Sequence, residues 1–331
     1  MIGTEVEADC MGAKIIDGKA IADEIRAELA KELEGLKTKG IEPGIATLLV
    51  GDNFGARMYR GAVEKFCAEM GFNYREETHP ADISEADVIR IVESLNADAK
   101  VSGILPLRPF PEHISDSAVI NSISVDKDID CFHPFNMGKL ALGEPTFPPA
   151  TPSACIELME RYMKGEGIDP KDGFEGAEIC VVGHSNIVGK PVSFLCLNRN
   201  ASTTTVHVFT SMKGNLEKHT TAADYVVVAA GFPNLIGSEQ VKEGAVVIDV
   251  GINRVIVCPE CGTYNRAKKD PCKKCGADLS EAEGKTVGDA NFDELVGKVK
   301  AITPVPGGVG SVTNMMLAKN TLRAARLLAG A

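Results

Sequence analysis

The sequence predicts a two-domain α/β protein in which helices cover mostly parallel β-sheets. Three observations support this fold class. The chain has 331 residues, about twice the length of an ordinary domain. Hydrophobic residues make up 44% of it, which provides for a sizeable core and excludes a disordered chain. Short apolar runs alternate with segments of helical periodicity, as expected of strand–helix–strand units.

Residues 11–150 are predicted to form the first domain, after an N-terminal extension over residues 1–10. Ile25, Leu29 and Leu33 recur at every fourth position and mark one face of the first helix. The apolar run GIATLLV, closed by Gly-Asp, predicts a buried strand. A second helix follows, and VSGILPLRPFP then predicts a strand that runs into a proline-rich loop.

Residues 151–311 are predicted to form a second, nucleotide-binding domain. Its predicted strands are four apolar runs, EICVV, TTTVHVF, DYVVVAAG and GAVVIDVG, and a turn from Gly183 to Gly189 follows the first of them. The turn does not match G-x-G-x-x-G, and Pro191 stands where a P-loop has Ser or Thr. Glycine nevertheless lets the backbone approach a pyrophosphate at a helix N-terminus. A purely structural turn is the alternative.

The composition excludes several classes of partner. The chain has 35 basic and 46 acidic residues, a formal net charge of −11, whereas sequence-independent binding to nucleic acid needs clustered cations. No apolar run reaches the length of a membrane span, about 18–20 residues, and the acidic N-terminus lacks a secretory signal. We therefore expect a cytoplasmic protein with no nucleic-acid or membrane partner. Six scattered cysteines are typical of reduced cytoplasmic thiols: Cys10, Cys67, Cys131, Cys155, Cys180 and Cys196.

The other four cysteines form one cluster. Cys258, Cys261, Cys272 and Cys275 make two CxxC knuckles with ten residues between them. Tetrahedral Zn²⁺ takes four thiolates in this arrangement and has no open position left, so we expect a structural zinc site. The 18 residues from Cys258 to Cys275 are too few for a hydrophobic core, which the ion would replace. A chance cluster and a pair of disulfides are the alternatives.

Several longer motifs resemble the bifunctional methylenetetrahydrofolate dehydrogenase/cyclohydrolase family. They include KIIDGKAIADEIR, KDIDCFHPFNMGKL, VVGHSNIVGKP, VVIDVGINR, VGDANF and ITPVPGGVGSVTNMMLAKNT, in the family's order from about Lys14 to Leu328. The resemblance implies an N-terminal folate domain and a C-terminal Rossmann-like dinucleotide domain around a cleft. It also implies that the helix over residues 312–329 returns to the first domain. The cysteine cluster, as a zinc ribbon over residues 257–279, would be an insertion where the family has a short hairpin turn.

The resemblance also implies a reaction. Family members oxidise 5,10-methylenetetrahydrofolate to the methenyl form and pass a hydride to a nicotinamide cofactor. Most of them then hydrolyse the methenyl compound to 10-formyltetrahydrofolate, and homodimers are usual. We therefore expect a tetrahydrofolate derivative as the substrate and a homodimer as the assembly.

The family's folate site is only partly kept. Tyr59 and Asp130 match the family's tyrosine and aspartate, and the resemblance makes them the catalytic candidates. Val63 stands at the position of the family's lysine, and Leu107 at that of its glutamine. On spacing alone, Tyr59 and Val63 belong to an apolar helix stripe typical of a core, and Asp130 is a turn or cap residue. The implied substrate-binding residues are Tyr59, Val63, Leu107, Asp130, Pro306, Gly307 and Gly308.

The two reactions need different groups. Hydride loss leaves a cation that two folate nitrogens stabilise, so the enzyme mainly has to hold the carbon against the nicotinamide. Cyclohydrolysis moves protons and calls for a positioned acid or base, which contributes about 10²–10⁴-fold. Val63 has no such group. We therefore predict a dehydrogenase with weak or absent cyclohydrolase activity. A proton relay through Tyr59 is the main way in which cyclohydrolase activity could be retained.

Three other interpretations stay open. The first is a bifunctional dehydrogenase/cyclohydrolase with a rearranged base. The second is a folate- or nucleotide-binding protein without catalysis that uses the ribbon to contact a partner. The retained Tyr59, Asp130 and PVPGGVG argue against this second interpretation. The third is a dehydrogenase that takes a different pterin carrier, since Val63 and Leu107 alter the pocket.

The cofactor is predicted to be NAD rather than NADP. The family often places an arginine after the first glycine of the turn and a polar or basic residue after the next strand's histidine, and these groups bind the 2′-phosphate. Here His184 replaces the arginine, and Val208 follows His207. The acidic residue that usually selects NAD is also missing from the end of this strand. The implied cofactor-binding residues are Gly183, His184, Ser185, Ile187, Val188, Gly189, His207, Val208, Gly231, Gly251, Ile252, Asn253 and Thr313.

Overall fold

Strands and helices alternate over most of residues 12–330, which the computed structural model describes. The strands are β1 (Lys14–Ile15), β2 (Gly44–Val50), β3 (Asn73–His79), β4 (Gly103–Leu107), β5 (Glu178–Val182), β6 (Ser202–Val206), β7 (Tyr225–Val228), β8 (Val246–Asp249), β9 (Asn253–Val257), β10 (Tyr264–Asn265), β11 (Gly284–Val287) and β12 (Ala301–Ile302). The helices are α1 (Gly18–Lys37), α2 (Phe54–Met70), α3 (Glu85–Ala97), α4 (Asp116–Ser122), α5 (Pro134–Leu142), α6 (Ala150–Gly165), α7 (Pro170–Phe174), α8 (Gly189–Leu197), α9 (Val208–Met212), α10 (Leu216–Thr220), α11 (Phe292–Leu295) and α12 (Val309–Leu328).

The described residues divide into two units, and each contains a parallel sheet. The first unit consists of Gly18–Phe174, Ser185–Asn200 and residues 309–330. The second unit consists of residues 12–17, Glu175–His184 and Ala201–Gly308. The predicted two-domain α/β class is confirmed.

The sheet of the first unit has the order β3-β2-β4, with all strands parallel. The central strand, β2, is buried along its whole length, because its run GIATLLV supplies apolar side chains to both covered faces. The edge strand, β3, has the sequence NYREETH and stays partly exposed, and such charged side chains protect a sheet edge from pairing with other chains. Part of the core lies where β2 and β4 pack on α3.

Helix α2 carries two of the predicted site residues. It begins after Asn53, whose side chain accepts a 3.0 Å hydrogen bond from the backbone N–H of Ala56, and it ends at Gly71, which has a left-handed φ of 68°. An asparagine N-cap and a glycine C-cap are typical helix boundaries. The buried face of α2 includes Val63 and Cys67, as the apolar stripe predicts.

The sheet of the second unit has the order β1-β12-β8-β7-β5-β6 and is parallel throughout. The chain passes from β5 to β6 on one side and returns to β7 on the other, which makes a switch point where such sheets bind ligands. At this point Gly183 has a φ of 125°, and a Cβ there would lie 2.1 Å from the carbonyl oxygen of Ala229. The position therefore requires glycine.

A separate antiparallel sheet, of order β10-β9-β11, carries the cysteine cluster. Cys258, Cys272, Leu279 and Ala282 are buried together here. Leu279 and Ala282 fold back from beyond the second knuckle, so the apolar side chains that pack on the cysteines come from outside the 18 residues Cys258–Cys275. We call β9, β10, β11 and the connections between them the ribbon.

The units do not divide at the predicted boundary between residues 150 and 151. Helices α6 and α8 lie in the first unit, because α6 packs against both α8 and α12. Strand β1 lies in the second unit, because it pairs in parallel with β12. The predicted extension over residues 1–10, with Cys10, lies outside the described residues. Every helix in the described part of the chain is too short or too polar to span a bilayer.

Candidate active site

A cavity of about 1230 Å³ lies in the first unit, beside the end of β4 and the start of α2. Five predicted site residues line it: Tyr59, Leu107 and Asp130 of the implied folate site, and Ile187 and Val188 of the implied cofactor site. Sequence reasoning missed other lining residues, which include Arg108 and Cys131. A large concave pocket in which a few polar groups converge on an apolar wall is typical of a small-molecule site.

Asp130 is the central polar group of this wall. Its Oδ1 accepts a 2.7 Å hydrogen bond from the backbone N–H of Ala150. Loss of hydration raises the pKa of Asp130 to about 7, the hydrogen bond from Ala150 opposes this, and the nearby Asp128 adds to the rise. Around neutral pH the carboxyl group is therefore present in both protonation states.

The turn role that spacing allowed for Asp130 belongs to Asp128 instead. Asp128 is fully buried and accepts hydrogen bonds from the backbone N–H groups of Phe132 and His133, both at 2.9 Å. It also accepts one from the side chain of Asn136 at 2.9 Å. Asp128 thus shapes the turn, while Asp130 is left facing the cavity.

Tyr59 is not buried with the rest of the apolar stripe of α2. Its side chain lines the cavity and is 37% exposed, whereas Val63, one turn further on, is 1% exposed. Burial of the phenol hydroxyl, followed by the charge of Asp130, raises the pKa of Tyr59. The phenol is therefore neutral at physiological pH, which suits it to donate a hydrogen bond and makes it a poor base.

Val63 is not among the residues that line the cavity, whereas Leu107 is. Arg108 is the one cationic side chain in the described cavity wall. Its Nε donates a 3.1 Å hydrogen bond to Asp116, and its Nη2 donates to the same carboxylate. The wall therefore offers the substrate no free amine.

Cys131 occupies a strained position in the wall. Its φ is 58°, a left-handed conformation that costs a residue with a Cβ about 1–2 kcal/mol. Its thiol is buried, and burial raises the pKa of Cys131, with Asp128 and Asp130 adding to the rise. The thiol is therefore protonated and unreactive.

In the second unit, predicted cofactor residues lie in the loops at the carboxyl ends of neighbouring parallel strands. They are Gly183 and His184 after β5, His207 and Val208 after β6, Gly231 after β7, Gly251 and Ile252 after β8, and Asn253 at the start of β9. Glycines that leave room at this edge of the sheet fit a dinucleotide.

His184 and His207 stack on one another, with ring centroids 4.5 Å apart and ring planes at 30°. Nδ1 of His207 is buried and has no hydrogen-bond partner in the protein. Val208, directly after it, is exposed. The end of β6 therefore presents imidazole rings and apolar surface where a 2′-phosphate site has cations.

The other predicted site residues lie outside these loops of the second unit. In the turn that belongs to the first unit, Ser185 Oγ accepts hydrogen bonds from the backbone N–H groups of Val188 and Gly189 at 3.1 and 3.4 Å. Thr313, on α12 of the first unit, donates to the carbonyl of Val309 at 3.1 Å. The segment 306–308 belongs to the second unit and is not part of the cavity wall.

Sequence reasoning missed two buried carboxyl groups beside the cofactor loops, those of Asp249 and Asp289. Burial raises the pKa of Asp249 to about 7, against the opposing effect of three backbone N–H groups that it binds. A signal was available in the sequence, because an acidic residue directly at the end of the apolar run VVID is out of place in a buried strand.

The four clustered cysteines bring their sulfur atoms together. All four Sγ atoms lie within 4.8 Å of one another, with 3.5 Å between Cys258 and Cys275 and 3.6 Å between Cys261 and Cys272. Tetrahedral zinc with bonds of about 2.3 Å places its sulfur ligands about 3.8 Å apart, so the residues fit this ion. A disulfide bond is about 2.05 Å long, which excludes the disulfide alternative for the structure described.

An α/β unit with a polar-lined cavity, joined in one chain to a parallel sheet with glycine loops, is the architecture of a two-domain dinucleotide-dependent enzyme. Comparison with family models makes this class specific. The model for the catalytic domain of tetrahydrofolate dehydrogenase/cyclohydrolase matches residues 16–130, and the model for its NAD(P)-binding domain matches residues 149–329. The chain therefore belongs to the tetrahydrofolate dehydrogenase/cyclohydrolase family, which confirms the resemblance.

Individual relatives are similar over almost the whole chain. Bifunctional protein FolD 3 of Rubrobacter xylanophilus is 43% identical over 321 residues, which cover 96% of this chain and 94% of that protein. The crystal structure of the bifunctional enzyme FolD from Campylobacter jejuni matches with a TM-score of 0.80 and 36% identity, covering 95% of this chain and 99% of that one. The Trypanosoma brucei enzyme, solved with NADP and an inhibitor, matches with a TM-score of 0.80 and 34% identity, covering 97% and 99%.

Proposed function

We propose that the protein is a 5,10-methylenetetrahydrofolate dehydrogenase that uses NAD and has weak or absent cyclohydrolase activity. The observation that carries this proposal is the cavity wall. It contains Tyr59 and Asp130, while the one cation among the described lining residues, Arg108, is bound to Asp116. The site therefore holds polar groups for binding a pterin but no free amine for moving protons.

The residues of the wall support the oxidation step. Ionised Asp130 would accept N–H groups of the pterin, and the neutral Tyr59 hydroxyl would donate a hydrogen bond. Leu107 is 2% exposed and gives the wall an apolar surface. When bound, the dinucleotide supplies the acceptor for the hydride. Because the substrate nitrogens stabilise the cation that forms, holding the substrate in place is the main task of these side chains.

The same wall is poorly equipped for hydrolysis. Val63 has no titratable group and does not line the cavity. The relay through Tyr59 that sequence reasoning left open is disfavoured, because the raised pKa of Tyr59 makes its phenolate scarce. A positioned acid or base contributes about 10²–10⁴-fold to the rate of water addition, and in this wall neither an amine nor a phenolate is available for that role.

A second candidate function is the bifunctional dehydrogenase/cyclohydrolase with a rearranged base. One observation favours it: Asp130 lies at the cavity wall and has a pKa of about 7. A carboxyl group of that pKa has the ideal strength for a general base near neutral pH. Relatives such as the Rubrobacter xylanophilus protein are also named bifunctional.

The choice of NAD is supported by the end of β6. His184 and His207 stack there, and Val208 follows without a cation. A 2′-phosphate is normally bound by arginine or a similar donor, and this chain has no such side chain in His184, His207 or Val208. The Trypanosoma brucei relative, by contrast, was solved with NADP. Initial rates with the two cofactors test this part, and faster turnover with NADP would overturn it.

We further propose that Cys258, Cys261, Cys272 and Cys275 hold a structural Zn²⁺. The ion would cross-link the two knuckles of the ribbon, whose own core is small. The purified protein is expected to contain one zinc per chain by mass spectrometry, and the Cys272→Ser variant to lose it and to become sensitive to proteolysis within the ribbon. The buried thiols of Cys67, Cys131, Cys180 and Cys196 support a cytoplasmic location, and the family resemblance supports a homodimer.

One assay separates the candidate functions. Methylenetetrahydrofolate is supplied with NAD or NADP, and reduced nicotinamide and methenyl product are followed together. Accumulation of the methenyl compound supports the dehydrogenase, and rapid conversion to the formyl compound supports the bifunctional enzyme. The absence of nicotinamide reduction with either cofactor would indicate a binding protein instead.

A substitution tests the missing amine directly. Val63→Lys restores the family's residue, and Val63→Met is the matched control of similar length without an amine. Hydrolysis gained by the lysine variant alone supports the proposal, whereas wild-type protein that already hydrolyses the methenyl compound as fast as it forms contradicts it. Because position 63 is buried, unfolding of both variants has to be compared first.

A further inference from the structure

Two buried acidic side chains tie together the loops that follow β7 and β8 in the second unit. Asp289 is fully buried and accepts three hydrogen bonds. Its Oδ2 accepts from the backbone N–H groups of Ala230 and Gly231, both at 2.7 Å, and its Oδ1 accepts from the side-chain amide of Asn253 at 2.8 Å. One carboxylate therefore holds parts of two different loops.

Asp249, the last residue of β8, supports this arrangement. Its Oδ1 accepts from the backbone N–H groups of Gly251 and Asp289 at 2.9 and 3.1 Å, and its Oδ2 accepts from that of Ala290 at 2.9 Å. A Cβ on Gly251 would lie 2.3 Å from the carboxyl carbon of Asp289. The backbone that carries Asp289 is thus fixed by hydrogen bonds to Asp249, and the Asp289 carboxyl group lies in close contact with Gly251.

The groups that Asp289 holds lie where a parallel sheet binds nucleotides. β7 pairs with β5 on one side and with β8 on the other, so the carboxyl end of β7 flanks the switch point and that of β8 lies next to it. Gly231 and Asn253 are both among the predicted cofactor-binding residues. Asp289 itself is fully buried, so any effect on a ligand passes through these loops.

We propose that Asp289 is a positioning residue for the dinucleotide, because it fixes the two loops on which the cofactor is bound. This inference rests on the proposed function, in that the second unit must bind NAD(P). Ala230, Gly231 and Asn253 all donate to Asp289. A carboxylate satisfies three such donors, whereas an amide has one acceptor atom and adds two N–H donors of its own.

The variant Asp289→Asn tests the proposal with a side chain of the same shape. The NH₂ group of the new amide faces either the N–H groups of Ala230 and Gly231 or the amide of Asn253, and cannot accept a hydrogen bond from them. One of the two loops therefore loses its bond to residue 289. We expect the Kd for NADH, measured by nicotinamide fluorescence, to rise by about tenfold or more, and kcat at saturating NAD to change by less than about threefold. The double variant Asp289→Asn/Asn253→Asp reverses donor and acceptor, and we expect it to recover most of the affinity.

Asp224 provides a matched control, because it directly precedes β7 and lies at the amino ends of the strands of the same sheet. It accepts a 2.9 Å hydrogen bond from the backbone N–H of Glu178 and pairs with Lys242. Asp224→Asn is expected to lower Tm and leave the Kd for NADH unchanged. The proposal is overturned if Asp289→Asn lowers Tm without changing the Kd, or if the double variant recovers no affinity. Wild-type protein that bound neither NADH nor NADPH would overturn both this inference and the proposed function.

Discussion

Two carboxyl groups in different parts of this protein have a similarly raised pKa, and they differ in almost everything else. Burial raises the pKa of Asp130 and of Asp249 to about 7. Asp130 accepts one backbone hydrogen bond and lines a cavity of about 1230 Å³. Asp249 accepts three backbone hydrogen bonds and is 3% exposed.

The comparison shows that a raised pKa identifies a reactive group only where a ligand can reach it. Burial raises the pKa of a carboxyl group at functional sites and in purely structural networks alike. Access to the cavity makes Asp130 a candidate for substrate binding, whereas the closed network around Asp249 makes it an organiser of loops. Changing each residue in turn can break or sharpen this distinction.

The largest expected effect is the loss of stability in Asp249→Ala. The change leaves the backbone N–H groups of Gly251, Asp289 and Ala290 without their acceptor, at about 1–3 kcal/mol for each buried donor. We expect the free energy of unfolding in urea to fall by about 3–5 kcal/mol. Asp130→Ala leaves one donor beside a cavity that admits water and is expected to lose less than about 2 kcal/mol. Equal losses would abolish the distinction between the two groups.

The next effect is the loss of activity in Asp130→Asn. The amide keeps the shape of the side chain but cannot accept two N–H groups from a pterin, which removes about 1.5–3 kcal/mol of charge-assisted hydrogen bonding. We expect kcat/KM for methylenetetrahydrofolate at pH 8 to fall by about 10–100-fold. Glu112→Gln changes another carboxyl group of the same wall and serves as the control. A similar loss in both variants would mean that only the charge of the wall matters.

The pH dependence of the rate follows from the same group. Because the pKa of Asp130 is raised to about 7, its carboxyl group is mostly protonated at pH 6 and mostly ionised at pH 8. We expect kcat/KM to fall as the pH drops through 7, by up to about tenfold per pH unit on the acid side. In Asp130→Asn this fall should disappear. A wild-type rate that stays constant from pH 8 to pH 6 would exclude ionised Asp130 as the binding form.

The smallest effect concerns the backbone of the cavity wall. Cys131 has a left-handed φ of 58°, whereas a left-handed position in a cofactor loop is filled by Gly231, with a φ of 66°. Cys131→Gly relieves this strain and Cys131→Ala keeps it, so the glycine variant should be the more stable of the two by about 1 kcal/mol. Thermal unfolding of both variants measures the difference, and a more stable alanine variant would show that the wall is not strained here.

Several parts of the molecule follow from short stretches of sequence. The apolar run GIATLLV forms β2, because a parallel strand covered on both faces needs apolar side chains at every position. The two CxxC knuckles place four sulfur atoms together, since each pair of ligands is close in the chain. The motifs that resemble the folate enzyme family are long, and the family models match them.

Other features depend on contacts between distant residues, and local patterns do not report them. Spacing along α2 places Tyr59 and Val63 in one stripe, and only the packing around the cavity separates them. The network of Asp289 joins residues that follow β7 and β11 to the first residue of β9, which a reading along the chain treats as separate segments. Apolar patterns thus sufficed for strands such as β2, and the long motifs for the resemblance to the family. The side chains that line the cavity are instead set by long-range packing, because burial and desolvation arise only when distant segments come together.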